Sequence, residues 1–376
     1  MPARTPAATG TVTPGPYQEG KQIDLQVYQS HSPDLSPSER VTATIRKVLS
    51  MTMSPVLDVT IVTRHGPLAP IHCVLKLYDR RFGTSLRSDY GSKLVPYQAN
   101  EVAFQTFVRR GMMAEFLGQL KEANETEDLL PPAPRQFLDD TPEGRAKYEA
   151  ALWRESNEHF RCETEAYKRL GNLQGKSLPR ILAEIRLVAV DDMSNDTPAD
   201  IPPEAASYFE VRGILLERID GYNLEDIATS PLAPADDLMK WQQIIQSAVD
   251  IVHEINRYGV IMEDCAPRNV VVDKQSQTPY IVDLAQCNFR DELAKTWHKW
   301  KWHESDDDWD PDVEYWEQVD SEDNTGAIGA VMVHRVQRET GVKLEIKYPG
   351  YTAIISGIQR RKAEAAAGTQ EGAARV

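Results

Sequence analysis

Between Asp237 and Tyr258, apolar residues fall at Leu238, Trp241, Ile245, Ala248, Val252 and Ile255, in steps of three and four. A helix keeps such a spacing on one face, whereas a strand, whose side chains alternate, scatters it. The spacing therefore predicts a helix over Asp237–Tyr258, and Gly259 stands where a left-handed residue ends one. The residues after Gly259 cannot continue as helix. Val260-Ile261-Met262 is short and apolar, EDCAPRN is a polar turn, and Val270–Val272, KQSQTP and Tyr280–Val282 read as strand, turn and strand. A long amphipathic helix thus leads into a small hairpin that ends on Asp283.

Upstream the pattern is different. Leu57–Val62 and Ile71–Tyr78 are β-branched runs joined by RHGPLAP, as in a hairpin. Residues 79–160 are polar and helical, broken by the proline-rich LLPPAPRQFLDDTPEG. A helix is expected from about Glu155 to Leu170, stopped by Gly171, with Phe160, Glu163, Tyr167 and Leu170 on one face. Strand-like runs come next at Ile185–Val190 and Val211–Glu217, and Asp220-Gly221 supplies a turn. Strands first, then a mostly helical half with one embedded hairpin, imply an α+β chain in two lobes and not a doubly wound parallel sheet. The Pro-, Ser- and Thr-rich residues 1–37 read as a disordered leader and residues 362–376 as a disordered tail. Between them the expected boundaries are 38–216 for an N-terminal lobe, with an insertion at about 79–155, and 217–361 for a helical C-terminal lobe.

Charge narrows the partners. The 57 acidic and 42 basic residues leave a net charge of −15, which repels polyphosphate backbones and argues against nucleic acid. No apolar run reaches membrane-spanning length, and the first residues lack the apolar stretch of a signal peptide, so no membrane partner is expected. Cys73, Cys162, Cys265 and Cys287 are far apart, without a CxxC. They imply a reduced, cytoplasmic or nuclear chain with no disulfide framework or zinc site.

The chemistry-bearing residues cluster around the hairpin. Asn269 follows Asp264 by five positions, and Asp283 lies fourteen further on. Two carboxylates and an amide oxygen are hard ligands suited to Mg²⁺, and one carboxylate could instead take a proton from an attacking hydroxyl. At this point the chain resembles the protein-kinase-like family, in which a catalytic loop with an Asp and an Asn precedes a D-F-G element. Here the loop reads Met262-Glu263-Asp264-Cys265-Ala266-Pro267-Arg268-Asn269 and the D-F-G counterpart Asp283-Leu284-Ala285. The wording A-P-R-N is similar to the branch with aminoglycoside and choline kinases and many fungal kinase-like proteins.

The resemblance implies a two-lobed protein-kinase-like fold with a large N-lobe insertion and a short helical C-lobe. It implies transfer of the ATP γ-phosphate, with Mg²⁺, to a hydroxyl on a protein or a small molecule. Asp264 would be the base, Asn269 and Asp283 the metal ligands, and Lys76, in the apolar run CVLKLY, the clamp on the phosphates. Glu163 would hold Lys76, since a carboxylate on an apolar helix face needs a cation. Glu101, on a face with Phe104 and Val108, is the rival for that role. The connector LLERIDGYNL would offer Glu217, Arg218 and Ile219 to adenine.

The chain departs from the family at four points. Met262 stands where a His is usual, Ala285 replaces the D-F-G glycine, no glycine-rich loop precedes Lys76, and no A-P-E follows Asp283. A small-molecule kinase of the aminoglycoside/choline type and a pseudokinase scaffold remain the alternatives. The acidic WHESDDDWDPDVEYWEQVDSED reads as solvated loop with some of its tryptophans packed inward, and Cys265 as a small packing residue.

Overall fold

The structure is a computed structural model and describes residues 15–62, 70–89, 92–93, 95–125, 132–187, 205–235, 237–301 and 309–373. The chain is a mixed α/β protein. It divides into two compact units, one of residues 1–161 and 180–218, the other of 162–179 and 219–376.

The first unit is built on strands β1 (Gln22–Ser30), β2 (Arg40–Ser50), β3 (Val56–Val62) and β4 (Ile71–Tyr78). A two-residue pair, β5 (Ser88–Asp89) and β6 (Ser92–Lys93), comes next, and then β7 (Ile181–Leu187) and β8 (Arg212–Glu217). Six of these close into an antiparallel barrel in the order β1-β2-β3-β4-β8-β7, with β1 pairing β7 to shut it. Alternation sets the interior: Leu25 and Val27, Val41 and Ala43, Leu57 and Val59, Cys73 and Leu75 all point into one apolar core. Register shifts in β1, β2 and β7 bend the strands enough for closure. Gly213 is required where β8 presses on β4, since a Cβ there would lie 2.6 Å from the Lys76 carbonyl oxygen.

This barrel corrects one expectation: its closing strand comes from residues expected to form a disordered leader. Leu25 is fully buried, and the Pro- and Ser-containing polar flanks of β1 hide the two-residue alternation of Ile23, Leu25 and Val27. Residues 64–69 of the RHGPLAP linker, Gly66 among them, and residues 188–190 of the expected strand lie outside the described residues.

Helices α1 (Gln98–Arg109) and α2 (Met113–Glu125) occupy the expected insertion and pack through Phe104, Phe107 and Phe116 onto Ala150 and Ala151 of α3 (Pro142–Arg169). A short α4 (Ala206–Phe209) precedes β8. The third helix starts well before Glu155, because Pro142 opens it; a proline at the first turn has no N–H to lose. It belongs to the first unit up to Arg161 and to the second from Cys162.

The second unit centres on α5 (Leu238–Arg257), capped by Asp237, whose carboxylate accepts from Lys240 N–H, and followed by Gly259 at φ +81°. Strand β9 (Gly221–Asn223) pairs with β11 (Val270–Asp273), which pairs with β12 (Pro279–Ile281). Strand β10 (Val260–Met262) pairs instead with β13 (Cys287–Phe289). Helices α6 (Arg290–Lys301), α7 (Pro311–Glu322), α8 (Asn324–Thr340) and α9 (Tyr351–Ala373) complete the unit. Helix α9 runs into the segment expected to be a disordered tail. Tyr315 and Trp316 are core residues beside Ile261, Trp297 and Tyr351, and the Tyr315 hydroxyl donates to the Asn256 carbonyl at 2.6 Å. Of the acidic tract, residues 302–308 lie outside the described residues.

Candidate active site

The site is assembled in the second unit from the two strand pairs that come after α5. Strand β10 is held by side chains. Met262 N–H donates to Asn324 Oδ1 at 3.0 Å, and Asn324 Nδ2 donates to the Met262 carbonyl at 2.7 Å. Asn256 Nδ2 donates to the Val260 carbonyl at 3.0 Å and to Asn324 Oδ1 at 3.2 Å. Asn324, only 2% exposed at the start of α8, thus acts as a strand edge for Met262. The loop is anchored through its backbone, so the Met262 side chain is free to be apolar and buried.

Beyond β10 the chain turns. Asp264 ion-pairs with Arg268 one turn on. Asn269 Nδ2 donates to the Asp264 carbonyl at 2.8 Å and to Asp264 Oδ2 at 3.2 Å. With its amide donors used there, Asn269 presents Oδ1 as its remaining ligating atom. The hairpin then returns: Val282 N–H donates to the Asn269 carbonyl at 2.9 Å, which sets Asp283 beside the loop.

Asp283 has φ +67°, a left-handed conformation that costs a non-glycine residue on the order of 1–3 kcal/mol. Ala285 N–H donates to its Oδ1 at 3.4 Å. Among the described residues, non-glycine positive φ occurs at Ser38, Gln277, Asp283 and Asp323. The turn's strain therefore sits on Asp283, and alanine at 285, where the family has glycine, costs nothing in φ.

The next amide closes the path. Leu284 N–H donates to Glu163 Oε1 at 3.2 Å, and both residues are fully buried. Glu163 lies on the last turns of α3, in the second unit, and Lys76, its expected partner, belongs to the first. Tyr167, one turn further along α3, buries a hydroxyl that has no hydrogen-bond partner among the described residues. Burial, then Glu163 and Asp283, push that phenol well above its ordinary value.

The remaining candidates belong to the barrel unit, except Ile219, which opens the second. Lys76 sits on β4 between β3 and β8, opposite Val56 and Ile214. It is 4% exposed, so it is not a solvent-facing edge lysine. Its Nζ lies 5.7 Å from the Tyr78 ring centre. Glu101 pairs with Arg80 at 2.6 Å inside the barrel unit. Glu217 spends its N–H on the Arg180 carbonyl at 2.8 Å and its carboxylate on the Arg180 backbone N–H and guanidinium. Arg218 Nε donates to Asp58 Oδ2 at 2.8 Å, and the chain crosses from the first unit to the second between Arg218 and Ile219.

Among the described residues no group of three His, Cys, Asp or Glu side chains could hold a metal alone. Asp283 with Asn269 Oδ1 fits Mg²⁺ all the same, because that ion is typically held by one or two carboxylates with phosphates and water filling the rest. Asn324 and Asn256 are not legible as site residues in the sequence. Their one local signal is Asp323-Asn324 ahead of an apolar helix, the pattern of a cap.

No protein-family model and no curated protein matches the chain. Among solved structures it is similar to the PknI kinase domain of Mycobacterium tuberculosis, at 12% identity and a TM-score of 0.28, over 65% of this chain and 58% of that one. A cysteine-to-alanine mutant of the same domain aligns at 12% identity and TM-score 0.29, over 65% and 60%. The chain thus spans about three fifths of the length of these kinase domains. Likeness at that score carries no weight for fold or activity, and the case rests on the site. Among the described residues no helix is long and apolar enough to cross a membrane.

Proposed function

We propose that this protein is a kinase-like phosphotransferase that moves the γ-phosphoryl group of ATP to a hydroxyl acceptor. The observation that carries the reading is one continuous hydrogen-bonded path in the second unit. It runs from Asp264 through the Asn269 side chain, from the Asn269 carbonyl to Val282, and from Leu284 to Glu163, with Asp283 between the last two links. Phosphoryl transfer asks little covalent chemistry of a protein and much positioning and charge neutralisation, which such a path provides.

In this reading Asp264 accepts the proton of the acceptor hydroxyl as its oxygen bonds to phosphorus and the bond to the ADP oxygen breaks. Asn269, through its donors, holds the Asp264 loop, and with Asp283 it would hold Mg²⁺. When bound, that ion neutralises charge on the phosphates. Lys76 is the proposed phosphate clamp with Glu163 its partner, and Glu217, Arg218 and Ile219 the adenine contacts. The leading reading is a protein-kinase-like enzyme, its acceptor a hydroxyl on a protein or a small molecule. The A-P-R-N wording and the missing A-P-E favour the second reading, a small-molecule kinase.

Thermal unfolding with nucleotide tests the proposal. A ligand at 100 times its Kd adds about 2.7 kcal/mol, so MgATP is expected to raise the melting temperature, and Asp283→Ala to remove the magnesium-dependent part. An unchanged melting curve at millimolar MgATP would sink the nucleotide site and leave a binding scaffold.

A further inference from the structure

Cys162 and Cys287 are 125 positions apart in sequence and meet in the fold. Cys287 N–H donates to Cys162 Sγ at 3.1 Å, and as a thiol Cys162 donates to the Cys287 carbonyl at 3.4 Å, with the Leu284 carbonyl at 3.7 Å. The sulfur of Cys162 therefore rests on the backbone of Cys287. Both residues are free and partly accessible. They flank the site described above: Cys162 immediately precedes Glu163, and Cys287 lies four positions beyond Asp283.

The two sulfurs have different characters. The Cys287 thiol hydrogen-bonds to Cys162, and this, against burial, holds the Cys162 thiol below its ordinary value. The same bond, with burial, pushes Cys287 well above its own. Cys73 and Cys265, by contrast, are each pushed up to about 12 by burial. A thiolate, not a thiol, attacks peroxides, so the four cysteines divide into one nucleophile, one adjacent thiol and two inert residues.

We infer that Cys162 and Cys287 form an oxidation site in which hydrogen peroxide converts the pair to a disulfide. The Cys162 thiolate attacks one peroxide oxygen and the O–O bond breaks, giving a Cys162 sulfenic acid and hydroxide. The Cys287 thiol then attacks the sulfenic sulfur. The S–S bond forms, the S–O bond breaks, and water leaves with the thiol proton. Two thiols are oxidised and one peroxide is reduced. The bond ties the end of α3 to the segment after Asp283, across the same span as the Glu163 to Leu284 hydrogen bond. This chemistry is independent of phosphoryl transfer.

The experiment is peroxide treatment of the folded full-length chain, blocking of free thiols, and non-reducing tryptic mass mapping. Cleavage yields a peptide 162–168 and a peptide 275–290. These two are expected as one linked species, two hydrogens lighter than their sum and released by dithiothreitol, with two of the four cysteines still blockable. Amide exchange at Leu284 and Cys287 should slow on oxidation. Cys287→Ser should stop at a sulfenic acid on Cys162, trapped by dimedone, and Cys162→Ser should give no link. The inference is overturned if wild-type Cys162 passes to sulfinic acid while Cys287 stays blockable, if no thiol reacts, or if the link appears only after unfolding. Unchanged exchange in the linked species would overturn the restraint on the Asp283 segment.

Discussion

At the scale of residues, the proposed site separates groups assigned chemistry from groups that hold them. Asp264→Asn keeps the size of the side chain and one acceptor oxygen, loses the ion pair with Arg268, and removes its ability to take a proton. General-base catalysis contributes about 10²–10⁴-fold, so kcat should fall within that range while MgATP affinity, read by thermal shift, stays nearly intact. Turnover at the wild-type rate with any acceptor would remove Asp264 from the mechanism. Asn324 is the opposite case. It touches no proposed substrate, yet it satisfies both the N–H and the carbonyl of Met262. Asn324→Ala leaves two buried backbone groups unpaired, each costing about 1–3 kcal/mol, so denaturant unfolding should show a loss of that order. A neutral result would mean that water replaces the amide.

At the scale of elements, α3 is the informative one. Its 28 residues carry three kinds of work: an apolar face in the barrel unit, a buried ion pair, and Cys162 with Glu163 at the far end. The ion pair is Glu149, 1% exposed, between Arg80 and Arg87, with Arg87 Nη2 at 2.6 Å and Asn100 Nδ2 at 3.3 Å. Burial opposes ionisation, but the Arg87 and Arg80 charges and hydrogen bonds prevail and bring its pKa from 4.5 down to about 2. A carboxyl with a folded value below its unfolded one adds stability that is complete above about 4.5 and is lost as pH falls towards 2. Glu149→Gln leaves the buried Arg87 guanidinium without a carboxylate and Arg80 with Glu101 alone, and should cost about 3–5 kcal/mol near neutral pH. The variant should also lose the part of the acid unfolding that lies between those two values. If its acid profile keeps the wild-type shape, another carboxylate governs it.

At the scale of the molecule, closure of the barrel decides the first unit. Strand β1 pairs with β2 on one side and β7 on the other, and brings Leu25 and Val27 into the core. Deleting residues through Ser30 would open two strand edges and uncover that core, which is the recipe for edge-to-edge association. The truncated chain should show a lower melting temperature and concentration-dependent aggregation by light scattering. A monomeric truncation with an unchanged melt would mean that the remaining five strands are sufficient.

Local pattern was enough to find α5, the hairpin from Val270 to Ile281, and the meeting of Asp264, Asn269 and Asp283 around that hairpin, because each is set by periodicity or by a spacing of a few positions. The strand CVLKLY alone left Lys76 open between a solvent-facing edge and a covered position, and the packed barrel decided it, at 4% exposure. The features that stayed hidden depend on pairs far apart in the chain. Strand β1 looked like a leader because its partner β7 lies some 160 residues away, and alternation alone does not tell a strand from a polar tail. Glu149 needed Arg80 and Arg87, Met262 needed Asn324, and Cys162 needed Cys287. A buried charge, an unpaired amide or a thiol becomes meaningful once its partner is known, and only the packed chain supplies the partner, because desolvation and hydrogen bonding act through space and leave no spacing in the sequence.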